Sequence, residues 1–210
     1  MEIETMKESA LLNGILDKLA HSRTEEGRRR KIIDEGDIYV SDLTRCREKS
    51  MLYKVHPEFG AQILRAPHVL MGILVGEGIC NVIKRCCPSA RFEVSKSKSV
   101  GDYVVRGRCD MILDNKIVEV KFSRFPVEYP RERDVIQCRL YSFLFDTDET
   151  ILWYFTPTML SEFPVERMGM SEENVLNIIE NRQSPRWNWE CMYCNVKQLC
   201  KIKGDTVDVH

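Results

Sequence analysis

Two carboxylates and a lysine fall close together in the stretch GRCDMILDNKIVEVKF: Asp110, then Glu119 and Lys121. From Val118 to Lys121 apolar and charged residues alternate with the period of a strand. Glu119 and Lys121 therefore share one face, and Val118 and Val120 share the other. DNK at 114–116 is turn chemistry, so a hairpin brings Asp110 beside the pair. Two hard oxygen ligands can hold Mg²⁺ or Mn²⁺ without a complete protein cage, leaving positions for water and phosphate oxygens. Such an ion lowers the pKa of a bound water and offsets charge on a phosphodiester in its transition state. The lysine can orient the attacking water. The bland alternative is a surface salt bridge on an exposed sheet face, worth ~0–1 kcal/mol. Against it, Glu-x-Lys occurs once in this chain, on the strand after the turn. Farther on, QCRLY sets Gln137 and Tyr141 at i and i+4 on one helical face, able to aim at the same patch. Otherwise Tyr141 is half-buried core and Gln137 is solvated.

A second constellation lies in RWNWECMYCNVKQLCKIKG, where Cys191, Cys194 and Cys200 are spaced C-x2-C-x5-C. Three thiols are one short of the four that a tetrahedral metal ion or an iron–sulfur cluster takes. The chain has nine cysteines, an odd number at uneven spacing. The N-terminus lacks the basic and apolar regions of a secretory signal, so a disulfide framework is not expected and a cytoplasmic location is the default. Cys80, Cys86, Cys87, Cys109 and Cys138 read as small apolar residues of helices and strands.

Elements must position these groups. Residues 5–21 carry Leu11, Leu12, Ile15, Leu16 and Leu19 on one helical stripe. IYVSDL reads as a short strand running into a turn, with Asp42 or Thr44 capping a helix over about 45–55. Residues 68–87 read as a mostly apolar helix, and Gly72, Gly76 and Gly78 within it suggest close packing against another backbone. RFEVSKSKSV, YVVRGRCDMIL, KIVEVKF and TILWYFT read as strands. A helix over 131–146 separates the third from the fourth. A strand over 161–167 follows, then a helix capped by Ser171 and running to about Asn181. The fold class is mixed α/β, with its sheet in residues 90–167.

With 43% apolar and 30% charged residues, the 210-residue chain can bury a substantial core. No apolar run approaches the ~20 residues of a membrane span. The net charge is −1, but Lys84 to Arg108 holds seven basic residues against two acidic ones, and GRRRK at 27–31 is a second basic cluster. Local charge of that kind suits nucleic acid, or simply a solvated face.

The ordered series GRCD (Gly107 to Asp110), EVK (Glu119 to Lys121) and QCRLY (Gln137 to Tyr141) resembles that of RecB-like nucleases of the PD-(D/E)XK superfamily. The Cys-rich end, with one cysteine far upstream, resembles the CRISPR-associated Cas-four family and its viral and free-standing relatives. The upstream cysteine of that pattern fits VSDLTRC, giving Cys46. The resemblance covers roughly residues 38–203. It implies a restriction-endonuclease-like core over about 66–170, with a mixed central sheet flanked by helices. A cluster region would be formed by 38–60 and 185–203; a helical extension at 1–37 and a tail at 204–210 lie outside the resemblance. It further implies a metal-dependent deoxyribonuclease, an exonuclease on single-stranded DNA. Asp110 and Glu119 would hold Mg or Mn, and Lys121, Gln137 and Tyr141 would complete the catalytic set. Cys46, Cys191, Cys194 and Cys200 would bind a structural iron–sulfur cluster, 4Fe–4S in preference to 2Fe–2S. Four thiolates also suit zinc. DNA processing for CRISPR spacer acquisition beside the integrase complex is the implied setting. The oligomeric state is left open. One position departs from the family: G-x-x-x-H-E becomes GILVGE, with Gly76 where a metal-ligating histidine is expected and Glu77 after it. Gly76 cannot ligate, so the alternative reading is a weakly active or inactive nucleic-acid-binding or assembly subunit.

Overall fold

Strands and helices follow the period changes in the chain. The computed structural model describes residues 37–56, 58–59, 63 and 66–202, together with Gly14 and Lys18. Most of the stripe expected over 5–21, the basic run at 27–31 and the tail at 204–210 lie outside the described residues. In chain order the elements are β1 (Asp37–Tyr39), α1 (Val40–Leu43), α2 (Arg47–Val55), α3 (Pro67–Cys86), β2 (Arg91–Val100), β3 (Tyr103–Leu113), β4 (Lys116–Phe122), α4 (Glu132–Phe145), β5 (Glu149–Phe155), β6 (Leu160–Glu166) and α5 (Glu172–Glu180). Asp114 and Asn115 turn β3 into β4 at φ 46° and 63°, the left-handed region that Asp and Asn tolerate best after Gly. The side chain of Ser171 caps α5 by accepting from the Asn174 N–H at 3.2 Å.

The sheet is mixed. β2, β3 and β4 run antiparallel in sequence, β4 and β5 are parallel across the α4 crossover, and β6 closes antiparallel on β5. This helix, three strands, helix, strand order, with helices flanking a central mixed sheet, is the restriction-endonuclease-like arrangement expected. α3 packs on one side through Ile79 and Ile83 against Met111, Val118 and Ile151. α4 packs on the other through Leu140, Phe143 and Leu144 against Val105, Cys109 and Ile117.

One topological detail opens the molecule. β2 lines one edge of β3 along most of its length. β1 pairs with the start of that strand (Val104 to Arg106) and β4 with its end (Met111 to Leu113), so both must use the opposite edge. Residues 107–110 are left without a strand partner there, and the sheet gapes at that point.

Three expectations need correcting. Neither Asp42 nor Thr44 caps the second helix: α1 intervenes, Asp42 is buried within it, and Cys46 is the residue before α2. The α3 glycines are not explained by close backbone contact. A Cβ on Gly76 or Gly78 would meet nothing within 4 Å, and one on Gly72 would meet only the Phe122 Cβ at 3.7 Å. Of the five cysteines read as small core residues, Cys109 and Cys138 are buried, Cys80 and Cys87 are half-buried, and Cys86 is exposed. Among the described residues no helix is long and apolar enough to cross a membrane.

Candidate active site and thiol pocket

The gap in the β3 edge is filled by side chains. Asp110 Oδ2 accepts the Val120 N–H at 2.7 Å, replacing the ladder bond that a paired strand would supply. Tyr141 donates its hydroxyl to the Arg108 carbonyl at 2.9 Å, giving that backbone group a side-chain partner. Gly107 makes this possible, because a Cβ there would lie 2.7 Å from Leu144 Cδ2 and 2.9 Å from Tyr141 Cε1. The glycine of the GRCD motif thus lets α4 approach β3 closely.

Asp110, Glu119, Lys121, Gln137 and Tyr141 come together around this gap. Lys121 Nζ donates to Glu119 Oε1 at 2.7 Å and to Gln137 Oε1 at 2.9 Å. Gln137 Nε2 donates to Glu119 Oε1 at 2.8 Å and to Tyr141 Oη at 3.1 Å. Gln137 is therefore a keystone of the site, not a solvated residue. Glu119 is only 3% exposed. Its Oε2 is buried with no hydrogen-bond partner among the described residues, an anionic oxygen that a buried site leaves unmatched only at a cost. A divalent cation held by Glu119 and Asp110 would satisfy it, so the donor set fits Mg²⁺ or Mn²⁺. Among the described residues, however, no three His, Cys, Asp or Glu side chains converge as a ready-made single-ion site. The carboxylate site offers two protein ligands, and Glu77, exposed on α3, does not add a third to such a group.

The electrostatics are those of a crowded, buried site. Burial pushes the Glu119 carboxyl up to about 7; Lys121 opposes the shift and Asp110 adds to it. Burial also raises Asp110, against Lys121, the Val120 N–H and Arg108. Burial works against charge on Lys121, but Glu119, Asp134 and Asp110 outweigh it and hold the ammonium more firmly protonated than usual. The sign of a pH effect follows. Above about 7 Glu119 is ionised and can hold a cation; below it a proton competes. Mn²⁺ affinity, measured by calorimetry or electron paramagnetic resonance from pH 6 to 8, should fall about tenfold per unit below that pKa. The metal-free fold should show the opposite trend. Its Glu119 pKa is raised from 4.5, so the native state holds the proton more tightly and loses stability as pH rises from 4.5 to about 7.

Cys46, Cys191, Cys194 and Cys200 line one pocket, with Lys49, Lys197 and Glu190. Burial raises the Cys191 thiol, and the charges of Cys46, Cys194 and Cys200 each raise it further, so all four sulfurs lie within electrostatic reach. Among the described residues the four thiols are not drawn together on a single ion, but as a donor set they suit a larger thiolate-bound cluster, and the two lysines would offset part of its negative charge. Reading the residues alone missed what joins these cysteines. Glu190 is 6% exposed. Its Oε1 accepts the Cys46 N–H at 3.0 Å, and its Oε2 accepts the Arg186 and Trp187 N–H groups at 3.0 and 3.1 Å. Trp187 Nε1 donates to the Thr44 carbonyl at 3.0 Å, and the Tyr53 hydroxyl donates to Asn195 Oδ1 at 2.5 Å. A seam of hydrogen bonds already binds the α1–α2 segment to the C-terminal segment. The clue was an acid set among aromatics and beside a cysteine, NWEC.

No protein-family model matches the chain. It is 29% identical over 182 residues to the CRISPR-associated exonuclease Cas4 of Saccharolobus solfataricus, covering 81% of this chain and 90% of that one. The crystal structure of SSO0001 superposes with a TM-score of 0.80 at 27% identity, covering 93% of this chain and 98% of that one. The resemblance to the Cas4 family holds in sequence and in fold. A distant likeness, TM-score 0.45 at 9% identity over 69% of this chain and 83% of that one, is to an alkaline exonuclease from Laribacter hongkongensis. Against the Cas4 pattern, Gly76 stands on a helix whose neighbouring space is open at that point. His68 is exposed at the first turn of the same helix and belongs to no metal-holding group among the described residues.

Proposed function

We propose that this protein is a metal-dependent deoxyribonuclease that hydrolyses phosphodiester bonds at the ends of single-stranded DNA. The observation that carries the reading is the buried, unmatched Glu119 oxygen beside Asp110, with Lys121 bonded directly to the same carboxylate and Gln137 bonded to both. Asp110 and Glu119 would hold Mg or Mn, which supplies an acidified water and a counter-charge for the phosphate. The residues do the rest. Lys121 keeps a fixed positive charge against Glu119 and can hold the attacking water. Gln137 holds Lys121 and Glu119 in register, and Tyr141 fixes the α4 helix to the open edge of β3. Water adds to phosphorus, the bond to the leaving sugar oxygen breaks, and that oxygen takes up a proton. The name of the Cas4 relative, an exonuclease, agrees with this class of reaction. The four-cysteine pocket would bind a structural iron–sulfur cluster, 4Fe–4S in preference to 2Fe–2S. The setting would be cytoplasmic DNA processing linked to CRISPR spacer acquisition, beside the integrase complex. The deciding assay is degradation of end-labelled single-stranded DNA with Mn²⁺ or Mg²⁺ by cluster-loaded protein. Equal degradation by wild type and Asp110→Ala would remove the activity from this site.

Gly76 favours a second reading, a nucleic-acid-binding or assembly subunit whose catalysis is weak. The two readings separate on one substitution. The open space at Gly76 accommodates a larger side chain, and replacing glycine by histidine within a helix gains roughly a few tenths of a kcal/mol before any ligand effect. Gly76→His should therefore fold well and tighten Mn²⁺ binding. If wild type is weak for want of this ligand, cleavage should rise by about tenfold or more. An unchanged Mn²⁺ affinity would show that α3 does not present this position to the site.

A further inference from the structure

α3 leaves part of its own side of the sheet uncovered. On the far side α4 packs over β5 and β6, through Cys138 against Leu152, Tyr154 and Val165. On the α3 side Ile151 and Trp153 share a cluster with Ile79 and Ile83. There the register sets Pro164 beside Ile151, Glu162 beside Trp153 and Leu160 beside Phe155. Leu160 is 71% exposed. The helix itself lies along β4. A Cβ on Gly72 would meet the Phe122 Cβ at 3.7 Å, and farther along the helix Lys84 Nζ stands 5.0 Å over the Phe92 ring. Lys84 therefore marks the β2 flank of α3. At about 100° per residue, Met71, Leu74, Gly78 and Val82 turn to the other flank, toward β5 and β6. The three side chains are each about half exposed, and a Cβ on Gly78 would meet nothing within 4 Å. An apolar helix flank beside an apolar strand edge is the surface of a binding face.

We infer that this flank is the interface of a homodimer, with α3 of one copy packed antiparallel on α3 of a second about a two-fold axis at Gly78. A two-fold interface uses one patch twice, so the patch must complement itself. This one does. Leu74 lies four residues before Gly78 and Val82 four residues after it, so each meets the other across the axis. Met71, seven before, meets the aliphatic stem of Arg85, seven after. Leu74, Gly78 and Val82 form an i±4 ridge, the kind that interlocks with its like at roughly −50°. The missing Cβ at its centre lets the two backbones approach where the helices cross. Charge agrees as well. Antiparallel packing carries the Arg85 end of each helix toward the partner's Phe122 end, and so toward the partner's β6. Glu162 is exposed there, its Oε2 accepting the Trp153 Nε1–H at 2.6 Å. The cleft of about 730 Å³ beside Asp110 and Glu119 is lined from β1, β2, β3 and α4. It opens away from this flank, so both carboxylate sites of the dimer stay accessible.

The test is sedimentation velocity of the full-length protein from low to high micromolar concentration, with thermal melting of the same samples. Wild type should sediment as a dimer. Leu74→Arg sets like charges against each other near the crossing and should raise the dimer Kd by roughly thirtyfold or more, the size of a hot-spot loss. Gly78→Leu separates the interface from the fold. The open space at Gly78 takes the new side chain, and leucine is the better helix former, so each protomer should fold at least as well while the wedge blocks the dimer. Arg85→Glu and Glu162→Arg should each weaken association several-fold, and the two together should restore it. Val55→Arg is the control, an equally apolar and more exposed position on α2 that should leave the dimer unchanged. A wild type that stays monomeric throughout would overturn the interface and leave the flank to another occupant, such as the apolar stripe expected over 5–21. A dimer or larger assembly that survives both Leu74→Arg and Gly78→Leu would overturn it by placing the contact on another face. Failure of the charge exchange to restore association would overturn the antiparallel packing. None of these outcomes depends on cleavage.

Discussion

Asp110→Asn should reduce single-stranded DNA cleavage by about 10²–10³-fold and leave the fold intact. The substitution is chosen for what it retains. Asp110 Oδ2 accepts the Val120 N–H at 2.7 Å where the sheet has no ladder bond. The Asn carbonyl oxygen can accept the same bond, so the open edge of β3 remains satisfied. What is lost is one negative charge from the two carboxylates proposed to hold a divalent ion. Burial already raises the Asp110 pKa, so the charge is held at a cost and its removal does not weaken the metal-free fold. Melting temperature at neutral pH should stay level or rise while activity collapses. Lys121→Met gives a sharper contrast. It also removes activity, but it leaves the buried Glu119 carboxylate without its cation, a change that costs roughly 3–5 kcal/mol where a buried pair is broken. Catalytic loss with stability retained in Asp110→Asn, and with stability lost in Lys121→Met, is the signature of this geometry. Full activity in purified Asp110→Asn would defeat it. The two variants are compared by initial rate under saturating Mn²⁺ and by thermal melting of the same samples.

Local pattern carried most of the sheet. β3 and β4 alternate cleanly, and the Asp114–Asn115 turn between them has the side chains its positive φ angles need. Asp110, Glu119 and Lys121 could therefore be placed together from three short words of sequence. Gln137 and Tyr141 followed from helical spacing. What stayed hidden depends on contacts between distant segments. No periodicity shows that β1 and β4 share one edge of β3, yet that sharing creates the cleft. The glycines of α3 suggested close packing by their residue type, but open space is what surrounds Gly76 and Gly78. Glycine reports permissiveness of the backbone, and only neighbours say whether it is used. By contrast Gly107 is tightly enclosed, because α4 crosses the strand there. Glu190 was invisible for a related reason. A buried carboxylate looks like any surface acid until its three amide donors, one of them 144 residues away, are known.

Cys191→Ala should lower the stability of the whole fold and affect cleavage only through that loss. Cys46 and the C-terminal cysteines bracket the nuclease core, and the Glu190 bond to Cys46 already spans 144 positions. A centre ligated by all four thiols would close a loop of that length. By the chain-entropy argument for cross-links, such a closure is worth on the order of 4–5 kcal/mol. For a chain of this size that is roughly a 10 °C fall in melting temperature when one ligand is removed. The hydrogen-bond seam through Glu190, Trp187 and Asn195 does not depend on the sulfurs and should hold the ends together at lower temperature. Cleavage per folded molecule, assayed well below the melt, should then stay within a few-fold of wild type, because Asp110, Glu119 and Lys121 lie in a different pocket from the thiols. Glu190→Ala attacks the seam directly. It strands the buried Cys46 amide at about 1–3 kcal/mol and leaves the part-buried Arg186 and Trp187 amides to find water, so it should melt low and load the centre poorly, even with all four cysteines present. Iron and zinc content and the brown colour of anaerobically purified protein report that loading independently of activity. A Cys191→Ala protein that melts with wild type would refute closure outright, since it would show that the seam alone carries the junction.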